Sequence, residues 1–336
     1  MNVPASALRK PGNPLHLFQK ALANATIPVA IVVLCIGFSL YEPRFLSLDN
    51  GLNILRQASF LILITLAQVV VLITRGFDLS VGDVVSLVSV VSSIAMVSMS
   101  DAGAVDGAMP VFAGFVVAVC VASLVGFVNG FCVAFLKVAP FVVTLGTQCI
   151  CLGLATTLSG GVPVAGLPEN FVNWFSNPNW LWGVPPPVAV TVLFIAGVFV
   201  LLNNTTLGRS LYLIGSNPRA AHVAGLPVRW RLLGAYVICS SIVAVAAFLL
   251  TARTGSGEPN LGGGLMLQSI AAAVIGGVSL RGGEGRVMQA VNGALFITVL
   301  TVGMNFLRIS GYTQTVVLGV VVIVAILLDR PRTRLR

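Results

Sequence analysis

Charge is scarce in this chain. Only 9% of its 336 residues are Asp, Glu, Lys or Arg, and acids are the rarer sign, 10 against 19 basic residues. Histidine is scarcer still, with His16 and His222 as the only two. A soluble fold of this length needs more charge than this to cover its surface. Neither histidine falls in an apolar run, so a proton relay or an intramembrane serine hydrolase lacks its usual parts. The phosphate-cradling pattern Gly-x4-Gly-Lys-Ser/Thr does not occur, so the chain has no loop with which to hydrolyse ATP itself. The six cysteines (Cys35, Cys120, Cys132, Cys149, Cys151 and Cys239) all lie in apolar runs, and Cys149-x-Cys151 has neither metal-ligand spacing nor a histidine nearby. They read as small buried apolar residues, and no disulfide framework, metal site or cofactor is expected.

What fills the chain instead is apolar sequence. Hydrophobic residues make up 57%, and the mean hydropathy is +1.00. At ~20 residues per membrane crossing, the pattern predicts an all-α integral membrane protein. Ten spans are expected, at roughly 24–41, 53–74, 84–100, 109–136, 140–158, 186–203, 232–251, 264–280, 287–306 and 312–328. The eighth is short and rich in glycine. The expected organisation is a tail over 1–23, a transmembrane domain over 24–328 and a basic tail over 329–336.

The basic residues orient this arrangement. With both termini inside, the inner segments hold Arg9, Lys10, Lys20, Arg75, Lys137, Arg209, Arg219, Arg229, Arg231, Arg281, Arg286, Arg330, Arg332, Arg334 and Arg336, while the outer ones hold only Arg44, Arg56, Arg253 and Arg308. The excess of Lys and Arg on one side puts both termini in the cytoplasm. The net charge of +9 is therefore a topology signal. Its scatter over many loops argues against a nucleic-acid partner.

One basic interruption carries a local signal. Within 204–231, Asn217-Pro218 has the residues that start a helix and Gly225 the residue that ends one, so a short helix is expected over Pro218 to Ala224. A capped helix in a basic loop points to a docking partner. A second stretch, Ile270 to Arg286, reads IAAAVIGGVSLRGGEGR, whose small residues allow close helix approach or a backbone-lined cavity. A third, Gly76 to Asp83, reads GFDLSVGD; Asp78 or Ser80 can cap the third span, and Ser80-x-x-Asp83 matches a capping box with Asp in place of Glu. The stretches 73–87 and 274–288 echo one another weakly, as a duplicated unit or as chance glycine-rich turns.

These three stretches resemble the permease subunits of ABC sugar importers, in the monosaccharide branch typified by ribose permeases. The resemblance covers about residues 30–328. It implies that Asn217, Pro218, Arg219, Ala220, Ala221, His222 and Gly225 form a coupling helix for a separate ATPase subunit. Asn217, Arg219 and His222 are its exposed contacts, and Ala220, Ala221, Val223 and Ala224 its small packed sides. It implies cytoplasmic gate turns at Gly76, Asp78, Ser80, Gly82, Gly282, Gly283 and Gly285. The chain departs from the family's usual residues at Phe77, Asp83, Met266, Gln268, Val278, Gln289 and Ala290. A second permease subunit, an ATPase, a periplasmic sugar-binding protein and the bilayer of a bacterial inner membrane are the implied partners and setting.

Uncharged amides and hydroxyls within the spans either bond helix to helix or line a path. Gln57, Gln68, Asn129, Thr144, Gln148, Asn292 and Asn305 are the candidates for a path suited to a sugar. Arg253 and Glu258, in the glycine-rich outer loop 253–264, are either docking charges for the binding protein or solvated loop charges. The loop 159–185 holds Trp174, Trp180 and Trp182 and suits an interfacial anchor or a docking surface. The alternative for the whole chain is a secondary transporter of an uncharged solute, which would need an intramembrane acid or a sodium site.

Overall fold

The computed structural model describes residues 14–101, 108–176 and 183–328, with side chains from Thr26 onward except at positions 101, 175, 176, 326 and 328. The described residues are 80% helical, with no strands among them. The helices are α1 (Pro14–Tyr41), α2 (Leu48–Leu72), α3 (Val81–Asp101), α4 (Ala108–Ala134), α5 (Pro140–Ser159), α6 (Glu169–Ser176) and α7 (Pro186–Asn204). They continue as α8 (Thr206–Ser216), α9 (Pro218–Val223), α10 (Val228–Thr254), α11 (Leu265–Ile275), α12 (Val287–Phe306) and α13 (Gly311–Leu328). A 3-10 turn, Pro43–Leu46, leads into α2. Capping residues set many ends: the Ser47 hydroxyl accepts from Asn50 N at 3.3 Å, and α5 and α7 carry proline in their first turn.

Seven described helices are long and apolar enough to cross a membrane: α2, α3, α4, α5, α7, α10 and α12. The other expected spans coincide with shorter apolar helices, Thr26–Tyr41, Leu265–Ile275 and Gly311–Ala325. The expected tail over 1–23 overlaps α1, which already begins at Pro14. The basic tail 329–336, Trp180 and Trp182 lie outside the described residues.

α2 and α10 form the centre. From Ala58 to Ile73 every α2 side chain is buried, as a helix that is apolar on all sides must be. α10 packs against α4, where Gly126 and Gly130 face the backbone of Tyr236 and Leu233 so closely that a Cβ would collide. α4, α5 and α7 lie at the periphery, with Phe112, Phe141 and Leu193 among their exposed apolar residues.

The segment 255–264, expected as an exposed loop, instead folds back into the bundle along α3. Thr251 donates to the Ser89 hydroxyl at 2.8 Å, Glu258 N to the same hydroxyl at 3.1 Å, and Gly262 N to the Ser86 hydroxyl at 3.0 Å. Gly262 then abuts the Gly82 carbonyl in the first turn of α3. This explains why the eighth expected span shrinks to the 11 residues of α11, about 16 Å at 1.5 Å per residue. Part of the bundle's thickness is covered by non-helical chain, in which the Glu258 and Gly262 N–H groups are satisfied by α3 serines in place of a helical ladder.

Candidate functional site

The loop 204–231 is built as two helices. The Thr205 hydroxyl accepts from Gly208 N at 3.1 Å and starts α8. The Asn217 carboxamide accepts from Arg219 N and Ala220 N, both at 3.1 Å, and starts α9. Gly225, at φ 76, supplies the left-handed residue after its end. The observed helix is Pro218–Val223 with Ala224 as its cap, one residue shorter than expected. Within it only Ala221 is buried; Asn217, Arg219, Ala220, His222 and Val223 are exposed. The expected packed sides therefore reduce to Ala221. Val223 is 88% exposed, an apolar tip that its place among small residues did not reveal.

α8 ties α9 to two turns of the bundle. Arg75 Nη2, just beyond α2, donates to Ser216 O at 2.7 Å. Gly283 N, in the α11–α12 turn, donates to Ile73 O at 2.8 Å. The Tyr212 hydroxyl donates to Gly285 O at 2.6 Å. Burial pushes the Tyr212 phenol above its ordinary value while Arg286 pulls it the other way, so it remains a donor at neutral pH. At the centre Gly215 lies against Ile73 O and Gly283 N, where no side chain fits. Arg75 adopts φ 65, strained for a residue with a Cβ, and Gly282 packs against it.

The expected gate residues divide into two groups. Gly282, Gly283 and Gly285 belong to this junction. Asp78 and Ser80 are fully buried further in, and Gly82 contacts Gly262. Asp78 Oδ1 accepts from Ser80 N at 3.0 Å and from the Ser80 hydroxyl at 2.5 Å. Asn129 Nδ2 donates to the Ser80 hydroxyl at 3.0 Å, and the Thr147 hydroxyl donates to Asn129 Oδ1 at 2.6 Å. Asp78 thus caps the entry to α3 through Ser80 instead of a Ser80–Asp83 capping box. Asp83 bonds Gln148.

The remaining expected path residues scatter. Gln68 is buried in α2 with both amide atoms unpartnered, and the Gln148 oxygen is also unpartnered. Thr144 bonds Pro140 O within its own helix at 2.9 Å. Asn292 is half-buried on α12. Asn305 accepts from Gln314 Nε2 at 2.7 Å near the start of α13. Gln57 donates to Asn53 at 3.2 Å. Of the docking candidates, Glu258 accepts from the Ser256 hydroxyl at 2.7 Å and braces its own loop; Arg253 lies 5.5 Å from the centre of the Phe60 ring.

The junction thus links an exposed two-helix loop to the turns that follow α2 and precede α12. Residues 50–326 match the family described as the permease component of branched-chain amino acid transport systems. The chain belongs to this permease family. Its relatives include the galactose/methyl galactoside import permease protein MglC of Escherichia coli, 34% identical over 321 residues, or 93% of this chain and 95% of the relative. The ribose import permease protein RbsC of Bacillus subtilis is 35% identical over 305 residues, 91% of this chain and 92% of its own. The D-allose transport system permease protein AlsC of Escherichia coli is 33% identical over 302 residues, 90% and 89%. No solved structure matches at comparable significance. The permease is a multi-pass membrane transport component and not an enzyme.

Proposed function

We propose that this permease is the membrane-spanning subunit of an ATP-driven ABC importer that carries a monosaccharide of the ribose type across a bacterial inner membrane. A periplasmic binding protein delivers the sugar, and a second permease copy or a close relative completes the path. The observation that carries the reading is α9: capped, exposed and joined through α8 to both turns. ATP-driven closure of the ATPase subunits displaces α9. The bonds from Ser216 to Arg75 and from Tyr212 to Gly285 pass that displacement to α2, α3, α11 and α12, which opens the path on the opposite face. The ribose, galactose and allose in the relatives' names support the substrate class. The uncharged residues expected along the path suit hydroxyl-rich cargo.

The test is to purify the tagged chain in detergent from its native membranes and identify what accompanies it. An ATPase subunit should co-purify and be lost on Arg219→Glu or Val223→Asp, with uptake lost in parallel while the permease still folds. A chain that purifies alone, and whose proteoliposomes accumulate solute without ATP, overturns the proposal in favour of a secondary transporter.

A further inference from the structure

Four helices line a half-open pocket that the coupling junction does not use. It lies away from α8 and α9, against the first turn of α11. Its volume is about 140 Å³, below the roughly 300–1,000 Å³ typical of pockets for drug-sized ligands. α2 contributes Gln57 and Phe60, α10 Arg253, α11 Gln268, and α12 Thr298 and Thr301. We infer that this pocket binds a single monosaccharide ring within one permease subunit. The inference rests on the sugar-import reading and goes beyond it, because it gives each subunit its own sugar site.

The chemistry of the lining supports a neutral polyol. Gln57 spends one N–H on Asn53 at 3.2 Å, which leaves its carbonyl and a second N–H. Thr298 donates to Ala294 O at 2.8 Å, so its oxygen faces the pocket's chemistry as an acceptor. Arg253 offers donors from a guanidinium positioned 5.5 Å from the Phe60 ring centre. No acidic side chain lines the pocket among the described residues, and the neighbouring charge acting on Arg253 is another cation, Arg56. A cationic ligand is therefore disfavoured. Sugar hydroxyls, each a donor and an acceptor, match the mixed set, and Leu61, Leu250 and Ile297 supply the apolar part of the lining.

The test measures uptake of radiolabelled D-ribose, D-galactose and D-allose by proteoliposomes of the complete importer. For whichever sugar wild type imports, Gln57→Leu and Gln268→Leu should each raise KM about tenfold, the cost of one lost hydrogen bond to substrate, with a smaller effect on kcat. Thr301→Trp should abolish uptake while the ATPase and binding protein still co-purify. Unchanged kinetics in both leucine variants and in Thr301→Trp overturns the pocket assignment and leaves the import reading intact. Variants that lose only co-purification of the binding protein make the pocket a docking socket and also overturn the assignment. A wild-type importer that takes up none of the three sugars overturns the import reading itself.

Discussion

Asn129 joins segments that are far apart in sequence, with Ser80 on one side of its carboxamide and Thr147 on the other. Replacing it by leucine removes both bonds inside a fully buried cluster, at a cost of about 1–3 kcal/mol. Thr144→Val removes only a bond within α5 and should cost under about 1 kcal/mol. Thermal unfolding of the detergent-solubilised variants ranks them, and equal midpoints would show that the cluster adds no stability. Gly215→Ala should sharply lower the yield of folded protein, because its Cβ would collide with Ile73 O, whereas Gly146→Ala meets nothing within 4 Å and should express normally. Size-exclusion profiles distinguish the two. The sequence marked Asn129, Thr144 and Gln68 alike as polar residues in apolar surroundings. Only long-range packing makes one a hub, one self-satisfied and one unpartnered, so their difference was not legible.

At the scale of elements, α9 was the most legible, because its signals are local: an N-cap, a proline behind it and a glycine beyond. Its six residues are too few to persist as a helix without those caps. Asn217→Ala removes two capping bonds, worth about 1 kcal/mol. It should hasten protease cleavage between 217 and 225 and reduce ATPase co-purification; an unchanged cleavage pattern would count against the cap. The exposure of Val223 was not readable, since it depends on how α9 sits on α8. α11 was misjudged for the same kind of reason. Hydropathy ran on through 264–280, but Gly262 packs against Gly82 ahead of the helix, and Gly276 and Gly277 pack against Gln289 at its end, contacts that no local pattern encodes.

For the whole molecule, all ten apolar runs contain helix, and among the described residues seven of these helices are long and apolar enough to cross; the number of crossings then rests on sidedness. His222 on α9 and the exposed Val162 beyond α5 lie in different connections. The charge bias predicts that they face opposite compartments. In a background lacking the native cysteines, Val162→Cys should react with a membrane-impermeant maleimide in intact spheroplasts, and His222→Cys only after permeabilisation. Labelling of both without permeabilisation would reverse or refute that orientation. The junction under α8 carries a different consequence, for evolution. Ser216, Gly285, Ile73 and Gly283 make their hydrogen bonds across it through main-chain atoms. Their side chains can drift without severing the joint, provided that the glycines stay small. Lineages that diverge in cargo or in motor can thus inherit the same linkage, and a chimera that exchanges 204–231 between relatives should still fit it.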